Sequence, residues 1–491
     1  MDNNRKLIIE ALISFEKNKS YSNLSLDSLL NNIDKTVRPF ASVLFYGVIE
    51  RKITLDYIIS KNSKLPLKKL SPAVLNILRT AIYQLKYMDS VTNYAAVNEA
   101  VSLCHAFKNS YSAGFVNAVL RKIIREFNLD FNVIKDENER LEIEYSIPKE
   151  LIKRWKNDYG EQITFGILKT SLEKPPVTLR VNILKACPKQ VIDTMKKEGF
   201  PITATHDEAC FFTESHIVNS TAYKNGLVYA QDISSQICGK TVAYFANKSK
   251  CETPVILDLC AAPGSKTFTT ANCLEKTGHI FAYDIHPSRV QLISNAAKRL
   301  GYKTTSKNQN TEVFRGRPAA SSENLNASSE NFSVEAHHNI SNEFIVNNDK
   351  SICNITVKIA DAAVFDDSIP AADVVLCDLP CSGFGVIRRK PEIKYKSLTT
   401  IQELPALQLK ILNNAARYVK KDGVLIYSTC TLLKSENEDV ALKFLSENPS
   451  FALVKLPKFI TDIFSGESFV TMFPGKINND GFFIASFVKE I

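Results

Sequence analysis

At 491 residues, with 45% hydrophobic and 23% charged side chains, the chain is too long for one compact core and reads as a soluble protein of several domains. Leu7-Ile8-Ile9 and Leu12-Ile13 recur at helical spacing where a leader would need a sustained apolar run, which predicts a cytoplasmic chain with no signal peptide or membrane anchor. The formal net charge of +9 is uneven: residues 1–125 hold 18 Lys+Arg against 9 Asp+Glu, and the remainder holds 43 of each. A basic front on a neutral body points to a polyanionic partner, most simply nucleic acid, against the plainer reading of a basic solvated surface. The 11 cysteines are odd in number, lack a Cys-x-x-Cys pair and argue for a reducing compartment; the seven scattered histidines suggest no metal site.

Residues 1–130 predict an all-helical domain. Leu78, Ile82 and Leu85 fall at i, i+4 and i+7, as do Val97, Val101 and Cys104, and Val116, Leu120 and Ile123. Ser71-Pro72 is a helix start. Four lysines between Lys61 and Lys69 form a loop that would face RNA, whereas Arg121, Lys122 and Arg125 are explained equally by a solvated helix face. The charged stretch 131–150 suits a linker. A small α+β domain follows over 145–228, with a helix at Leu151–Trp155, a strand at Val177–Val181, a helix at Val191–Lys197, and short strands at Ile217-Val218 and Leu227–Tyr229. Trp155, the lone tryptophan, reads as a core anchor rather than a base-stacking residue.

From 229 to 491 strands and helices alternate, which implies a mainly parallel sheet. Strands are predicted at 255–260, 279–284, 355–360, 372–379, 423–429 and 481–488, and helices at 266–276, 287–300, 402–420 and 435–446. Residues 303–352, with 9 Asn and 8 Ser, break the pattern and predict a disordered surface insertion.

The apolar run Val255-Ile256-Leu257 leads through Asp258-Leu259-Cys260 into Ala261-Ala262-Pro263-Gly264, a strand–turn–helix junction of the kind that receives nucleotide-like ligands. Asp284 ends the next strand, where a carboxylate accepts hydrogen bonds from ribose hydroxyls. The turn is not Gly-x-Gly-x-x-Gly, so a ligand with adenosine but no phosphates fits better, and S-adenosylmethionine is the candidate. Asp361 sits at a further strand end within reach of an adenine amino group. Asp378 and Cys381 follow the strand 372–379, and Cys430 follows 423–429. Two thiols and a carboxylate at adjoining strand ends suit covalent catalysis on a pyrimidine. A thiolate added at carbon-6 makes carbon-5 nucleophilic, and Asp378 is placed to hold the ring nitrogen or exocyclic amine. Such a base must be single-stranded or flipped out. Spacing alone does not say which thiol attacks.

Three motifs carry a resemblance: Leu257 to Thr267 (Leu-Asp-Leu-Cys-Ala-Ala-Pro-Gly-Ser-Lys-Thr), Asp378-Leu-Pro-Cys-Ser-Gly383 and Ser428-Thr-Cys-Thr431. With Gln231–Gln236 and Asp480–Phe483, they are similar to the bacterial Sun/Fmu-type ribosomal RNA cytosine-5 methyltransferases of the NOL1/NOP2/Sun superfamily. Asn93–Phe107 and Gly114–Arg121 resemble the domain shared with the antitermination factor NusB, an RNA binder. The resemblance spans nearly the whole chain except 303–352. It implies an α/β fold: a Rossmann-like methyltransferase domain with a mostly parallel seven-stranded sheet, after an all-α NusB-like domain and a ferredoxin-like α+β domain. It also implies S-adenosylmethionine contacts from Cys260, Ala261, Ala262, Pro263, Gly264, Ser265, Lys266, Asp284, Asp361 and Asp378. Cys430 would be the nucleophile, Cys381 would release product, and Asp378 would touch the target base. Ser265 and Leu379 depart from the family pattern, and Ser265 would crowd the cofactor slightly. Arg388, Arg389 and Lys390, with Lys394 and Lys396, suggest phosphate contacts near the thiols. The expected substrate of this monomeric, metal-free enzyme is 16S ribosomal RNA. The alternatives are the same chemistry on transfer RNA, or a non-catalytic ribosome-assembly factor.

Overall fold

The computed structural model describes residues 3–18, 33, 36–126, 129–215, 217–305 and 353–491; the proposed insertion falls outside these apart from Lys303–Thr305. The described residues divide into two compact units. One holds the N-terminal helices through Leu172 together with Lys390–Lys396, and the other holds the rest from Glu173 onward.

The first unit is helical. Ser71 caps the helix Pro72–Tyr87 by accepting from the Val74 N–H at 3.3 Å, with proline in the first turn where no N–H is needed. Thr92 caps Asn93–Ala106 in the same way. Leu78, Ile82, Val97, Cys104, Val116, Leu120 and Ile123 all face one buried core, as their spacing requires. Arg79 is buried in that unit between Asp56 (2.7 Å) and Glu16 (2.8 Å). Burial opposes ionisation of Glu16, but Arg79 and Lys52 overcome it and hold the carboxyl down at about 2. The stretch expected to be a linker instead contains a helix, Glu137–Tyr145, capped by Asp136. Leu141 and Ile143 are buried, and the Thr54 hydroxyl donates to the Ile143 carbonyl at 2.5 Å. A charged nine-residue helix with few apolar contacts leaves too weak a period to see. Trp155 is fully buried.

The second unit begins with a four-stranded antiparallel sheet in the order β2-β3-β1-β4: β1 Val177–Val181, β2 Ile202–Asp207, β3 Cys210–Thr213 and β4 Val228–Ala230. The strand expected at Ile217-Val218 is absent; Ile217 is a buried turn residue, and β2 and β3 take its place in the sheet.

The larger sheet has nine strands among the described residues, not seven. They are β5 Val255–Asp258, β6 His279–Asp284, β7 Thr304–Thr305, β8 Asn354–Ile359, β9 Ala372–Asp378, β10 Val419–Thr429, β11 Phe451–Leu453, β12 Phe469–Met472 and β13 Phe482–Lys489. The order is β11-β13-β10-β9-β5-β6-β8-β7, with β12 beside β13. Strands β5 to β10 pair in parallel, β13 runs antiparallel to β10, and β11 lies beyond β13 at the edge. The additional strands have two to four residues, too few to show an alternation. The helix expected over 402–420 ends at Ala415, and β10 begins at Val419 with a register shift before Val424 and Asp422 at a φ of +61°. Because the chain runs from β5 outward to β6 and then returns to place β9 on the other side of β5, the carboxyl ends of β5, β6 and β9 border the point where strand order reverses. That is where open α/β sheets bind ligands. No helix among the described residues is long and apolar enough to cross a membrane.

Candidate active site

Five strand ends bring the chemistry together. β5 delivers Asp258 and the turn Leu259–Gly264, which leads into the helix Ser265–Cys273. The Ala261 N–H donates to the Tyr283 carbonyl at 2.7 Å, tying the turn to β6. Gly264 has a φ of +103°, and a Cβ there would sit 2.7 Å from the Phe268 ring, so both conformation and space require glycine.

Asp258 is buried. Its Oδ2 accepts from the Thr267 hydroxyl at 2.7 Å, while Oδ1 is buried with no partner in the structure. Burial pushes this carboxyl up to about 7, only partly offset by Thr267. The folded state therefore binds a proton that the unfolded chain, with an ordinary aspartate, has released by pH 5. Stability from this group is present below pH 4 and lost as pH rises toward 7. In Asp258→Asn the fall in melting temperature across pH 4–7 should flatten, a difference of a few kcal/mol at order of magnitude. Melting curves by circular dichroism at pH 4.5 and 7.5 check it, and an unchanged slope would refute the assignment.

Asp284 ends β6 and is 3% exposed. Its Oδ1 accepts from the His286 N–H at 3.1 Å, and Arg289 lies 3.3 Å from Oδ2 while also donating to the Ala262 carbonyl at 3.1 Å. Each carboxylate oxygen keeps a further lone pair. Asp361 is exposed beyond β8 and accepts from the Ala363 N–H at 2.9 Å. Beside these carboxylates Ile285, Ile359 and Val364 are each at least half exposed, an apolar rim the sequence reading passed over.

Asp378 ends β9. Its Oδ2 lies 2.6 Å from the Lys266 ammonium, and its Oδ1 accepts from the Ser428 hydroxyl at 2.9 Å. Burial alone would depress Lys266, but Asp378 and the neighbouring thiols hold it above the usual lysine range. The sequence pattern marks Lys266 only as part of the turn; its pairing with Asp378, 112 residues away, has no local sequence signal.

The thiols of Cys381 and Cys430 are 3.3 Å apart. The hydrogen bond to Cys430, and then burial, push the Cys381 thiol well above its ordinary value. The Gly385 N–H donates to the Cys430 carbonyl at 2.9 Å, and a Cβ on Gly385 would meet the carbonyl oxygens of Gly481 at 2.2 Å and Cys430 at 2.7 Å, so the Cys381 loop touches both neighbouring loops backbone to backbone.

The basic run after Cys381 is placed differently from expectation. Arg388 is buried, 2.6 Å from Asp480, and donates to the Asn478 carbonyl. Arg389 pairs with Asp480 and with Asp232 (3.2 Å), and donates to the Pro176 carbonyl at 3.0 Å. Burial and the nearby Asp480 push Asp232 up. These guanidinium groups are spent on fixed carboxylates, which removes them as phosphate clamps. Lys394 belongs to the helical unit, where its ammonium donates to the Glu50 carbonyl at 2.5 Å and burial pulls it down to about 7. Lys390 is half-buried and belongs to that unit as well. Among the described residues no cluster of three or more His, Cys, Asp or Glu side chains is arranged to hold a metal ion.

Comparison with known proteins gives a consistent assignment across the chain. Residues 2–125 match the NusB family, 147–215 match the ferredoxin-like domain of RsmF/B-like methyltransferases, and 245–318 with 322–488 match the 16S rRNA methyltransferase RsmB/F family. The chain is 34% identical over 99% of its length to the probable ribosomal RNA small subunit methyltransferase B of Bacillus subtilis, covering 98% of that protein. It is 28% identical to the Synechocystis protein of the same description over 99% of each chain. Among solved structures, PH0851 shares the fold with a TM-score of 0.71 at 23% identity, covering 99% of this chain and 98% of that one. NSun6 from Pyrococcus horikoshii with SFG matches with a TM-score of 0.52 at 21% identity, covering 70% of this chain and 98% of that one. The chain belongs to the RsmB/F family and is a small-subunit ribosomal RNA methyltransferase with an N-terminal NusB-family domain.

Proposed function

We propose that this enzyme methylates carbon-5 of a cytosine in 16S ribosomal RNA, with S-adenosylmethionine as methyl donor and a transient bond between Cys430 and carbon-6 of the base. The observation that carries the proposal is the pair of thiols 3.3 Å apart beside the Lys266–Asp378 pair. Methylation of a ring nitrogen or an exocyclic amine needs no thiol, whereas carbon-5 becomes nucleophilic only after addition at carbon-6.

The residues at the head of the sheet fit the donor. Asp284 offers acceptor lone pairs for ribose hydroxyls, Ile285, Ile359 and Val364 offer apolar faces for a purine, and Asp361 lies at the rim. The turn Cys260–Lys266 lets a ligand approach the backbone, and the free Oδ1 of Asp258 faces no protein donor. S-adenosylmethionine, when bound, supplies an electrophilic methyl group. Cys430 interacts electrostatically with the Lys266 ammonium, and a neighbouring cation is what favours a thiolate over a thiol. A Cys381 thiol that stays protonated is a hydrogen-bond donor toward the same sulfur. Addition of the Cys430 thiolate at carbon-6 is followed by methylation at carbon-5, loss of the carbon-5 proton, and expulsion of the thiolate. Asp378, held by Lys266 and Ser428, is placed to receive the base's exocyclic amine. The base reaches this crevice only when unpaired or flipped out.

Bisulfite sequencing of 16S ribosomal and transfer RNA from cells with and without the gene tests the reading. One cytosine in 16S ribosomal RNA should resist conversion only when the gene is present. Protection confined to transfer RNA would move the substrate, and no change in either RNA would reject cytosine-5 as the product.

A further inference from the structure

Cys381 lies on a loop with no regular secondary structure, yet its thiol is held 3.3 Å from Cys430. What fixes it is a buried polar ring. Gln408 lies on the apolar side of the helix Leu404–Ala415 and is fully buried. Its amide nitrogen faces two acceptors, which fixes the orientation of the amide, while the Tyr427 hydroxyl, donating to the Glu436 carbonyl, lies 3.3 Å from Gln408 Oε1. That nitrogen donates to the Pro380 carbonyl at 3.0 Å and to Glu436 Oε2 at 3.0 Å. Glu436, 1% exposed, accepts the Ser382 N–H on the same Oε2 at 2.9 Å. The main chain is thus gripped immediately before and immediately after Cys381. The Cys430 side is tied to the same ring. The Ser382 hydroxyl bonds the Thr431 hydroxyl at 2.6 Å, and Asn437 takes the Thr429 hydroxyl (2.5 Å) and donates to the Thr431 carbonyl (3.0 Å).

We propose that Gln408 and Glu436 are positioning residues for methyl transfer, clamping the peptide groups on both sides of Cys381 so that its thiol stays in hydrogen-bonding reach of Cys430. Neither side chain touches the reacting atoms; they act through the loop. Burying a carboxylate and an amide is costly, and the contacts that offset the cost converge on one residue's two flanks. The proposal rests on the cytosine-5 reading for its effect on turnover, but the clamp itself is a statement about two thiols and can be tested without RNA.

The probe is glutathione. In the full-length protein, the two thiols lose two protons and two electrons to form a disulfide while glutathione disulfide is reduced to two glutathione molecules. The squared glutathione concentration divided by the glutathione disulfide concentration at half-conversion gives the effective concentration of the pair. Gln408→Glu and Glu436→Ala should lower that concentration about tenfold or more, and should lower kcat roughly 10²-fold with KM for RNA and donor within about twofold. Gln408→Ala serves as a second test of that position should Gln408→Glu not fold, as read by thermal melting. Glu436→Gln keeps an oxygen at Oε2 for both bonds and should retain the effective concentration within about threefold. Wild-type effective concentration in folded Gln408 and Glu436→Ala variants overturns the clamp, as does a Glu436→Gln variant that loses as much as Glu436→Ala. A lowered effective concentration in a chain that leaves cytosine unmodified would uphold the clamp and reject the cytosine-5 reading.

Discussion

Cys430→Ala is expected to remove methyl transfer to 16S ribosomal RNA, lowering turnover on the order of 10⁴-fold or more, and to leave donor binding within about twofold of wild type. The two halves of this expectation come from different places in the fold. Cys430 follows β10, whereas the proposed donor contacts lie on the turn after β5 and at the ends of β6 and β8. Losing one sulfur removes the only proposed route to a nucleophilic carbon-5 without disturbing Asp258, Asp284 or Asp361. Transfer of a radiolabelled methyl group measures the first half, and calorimetric binding of S-adenosylhomocysteine measures the second. Turnover within tenfold of wild type would take the nucleophile role from Cys430.

Cys381→Ala has the opposite signature. On the proposed mechanism, addition at carbon-6 should proceed, because the Cys430 thiol and the Lys266–Asp378 pair are intact, but release should stall. Multiple turnover falls roughly 10²- to 10³-fold, the scale of losing a positioned proton-transfer group. A protein–RNA band persists through denaturing electrophoresis. The double variant Cys381→Ala/Cys430→Ala gives no band, which assigns the bond to Cys430. A single variant with no adduct and normal turnover would leave Cys381 without a part in release, and the 3.3 Å contact would then matter only for the charge on its neighbour.

The strand ends were legible because a buried parallel strand reads as a short apolar run and its last residue is where the run breaks. Asp284 and Asp378 fall at the ends of β6 and β9 and Cys430 directly after β10, as that rule places them, whereas β5 stops at Asp258, two residues short of the expected 255–260. The helical unit was legible for the same reason, since Leu78, Ile82, Val116, Leu120 and Ile123 repeat at the helical period. Gln408 left a trace that went unused: it stands one turn from Leu404, Ile411 and Leu412, a polar residue within an apolar stripe. Arg388 and Arg389 misled because a run of cations looks the same whether it faces phosphate or a buried carboxylate. Asp480 and Asp232, which decide between the two, lie 91 and 157 residues from Arg389.

The sequence by itself therefore determined the long, strongly periodic elements and the kind of chemistry their ends suit, because periodicity and side-chain type are local properties; the short strands β2, β3, β7, β11 and β12 and the charged helix Glu137–Tyr145 carry too little pattern to be read. Only the tertiary structure decided which groups are partners. Lys266 meets Asp378 across 112 residues, Cys381 meets Cys430 across 49, and Gln408 and Glu436 close on the loop between them. Such pairings depend on strand order and on burial. Burial turns a weak surface interaction into one that sets protonation and geometry, and no local pattern carries that information.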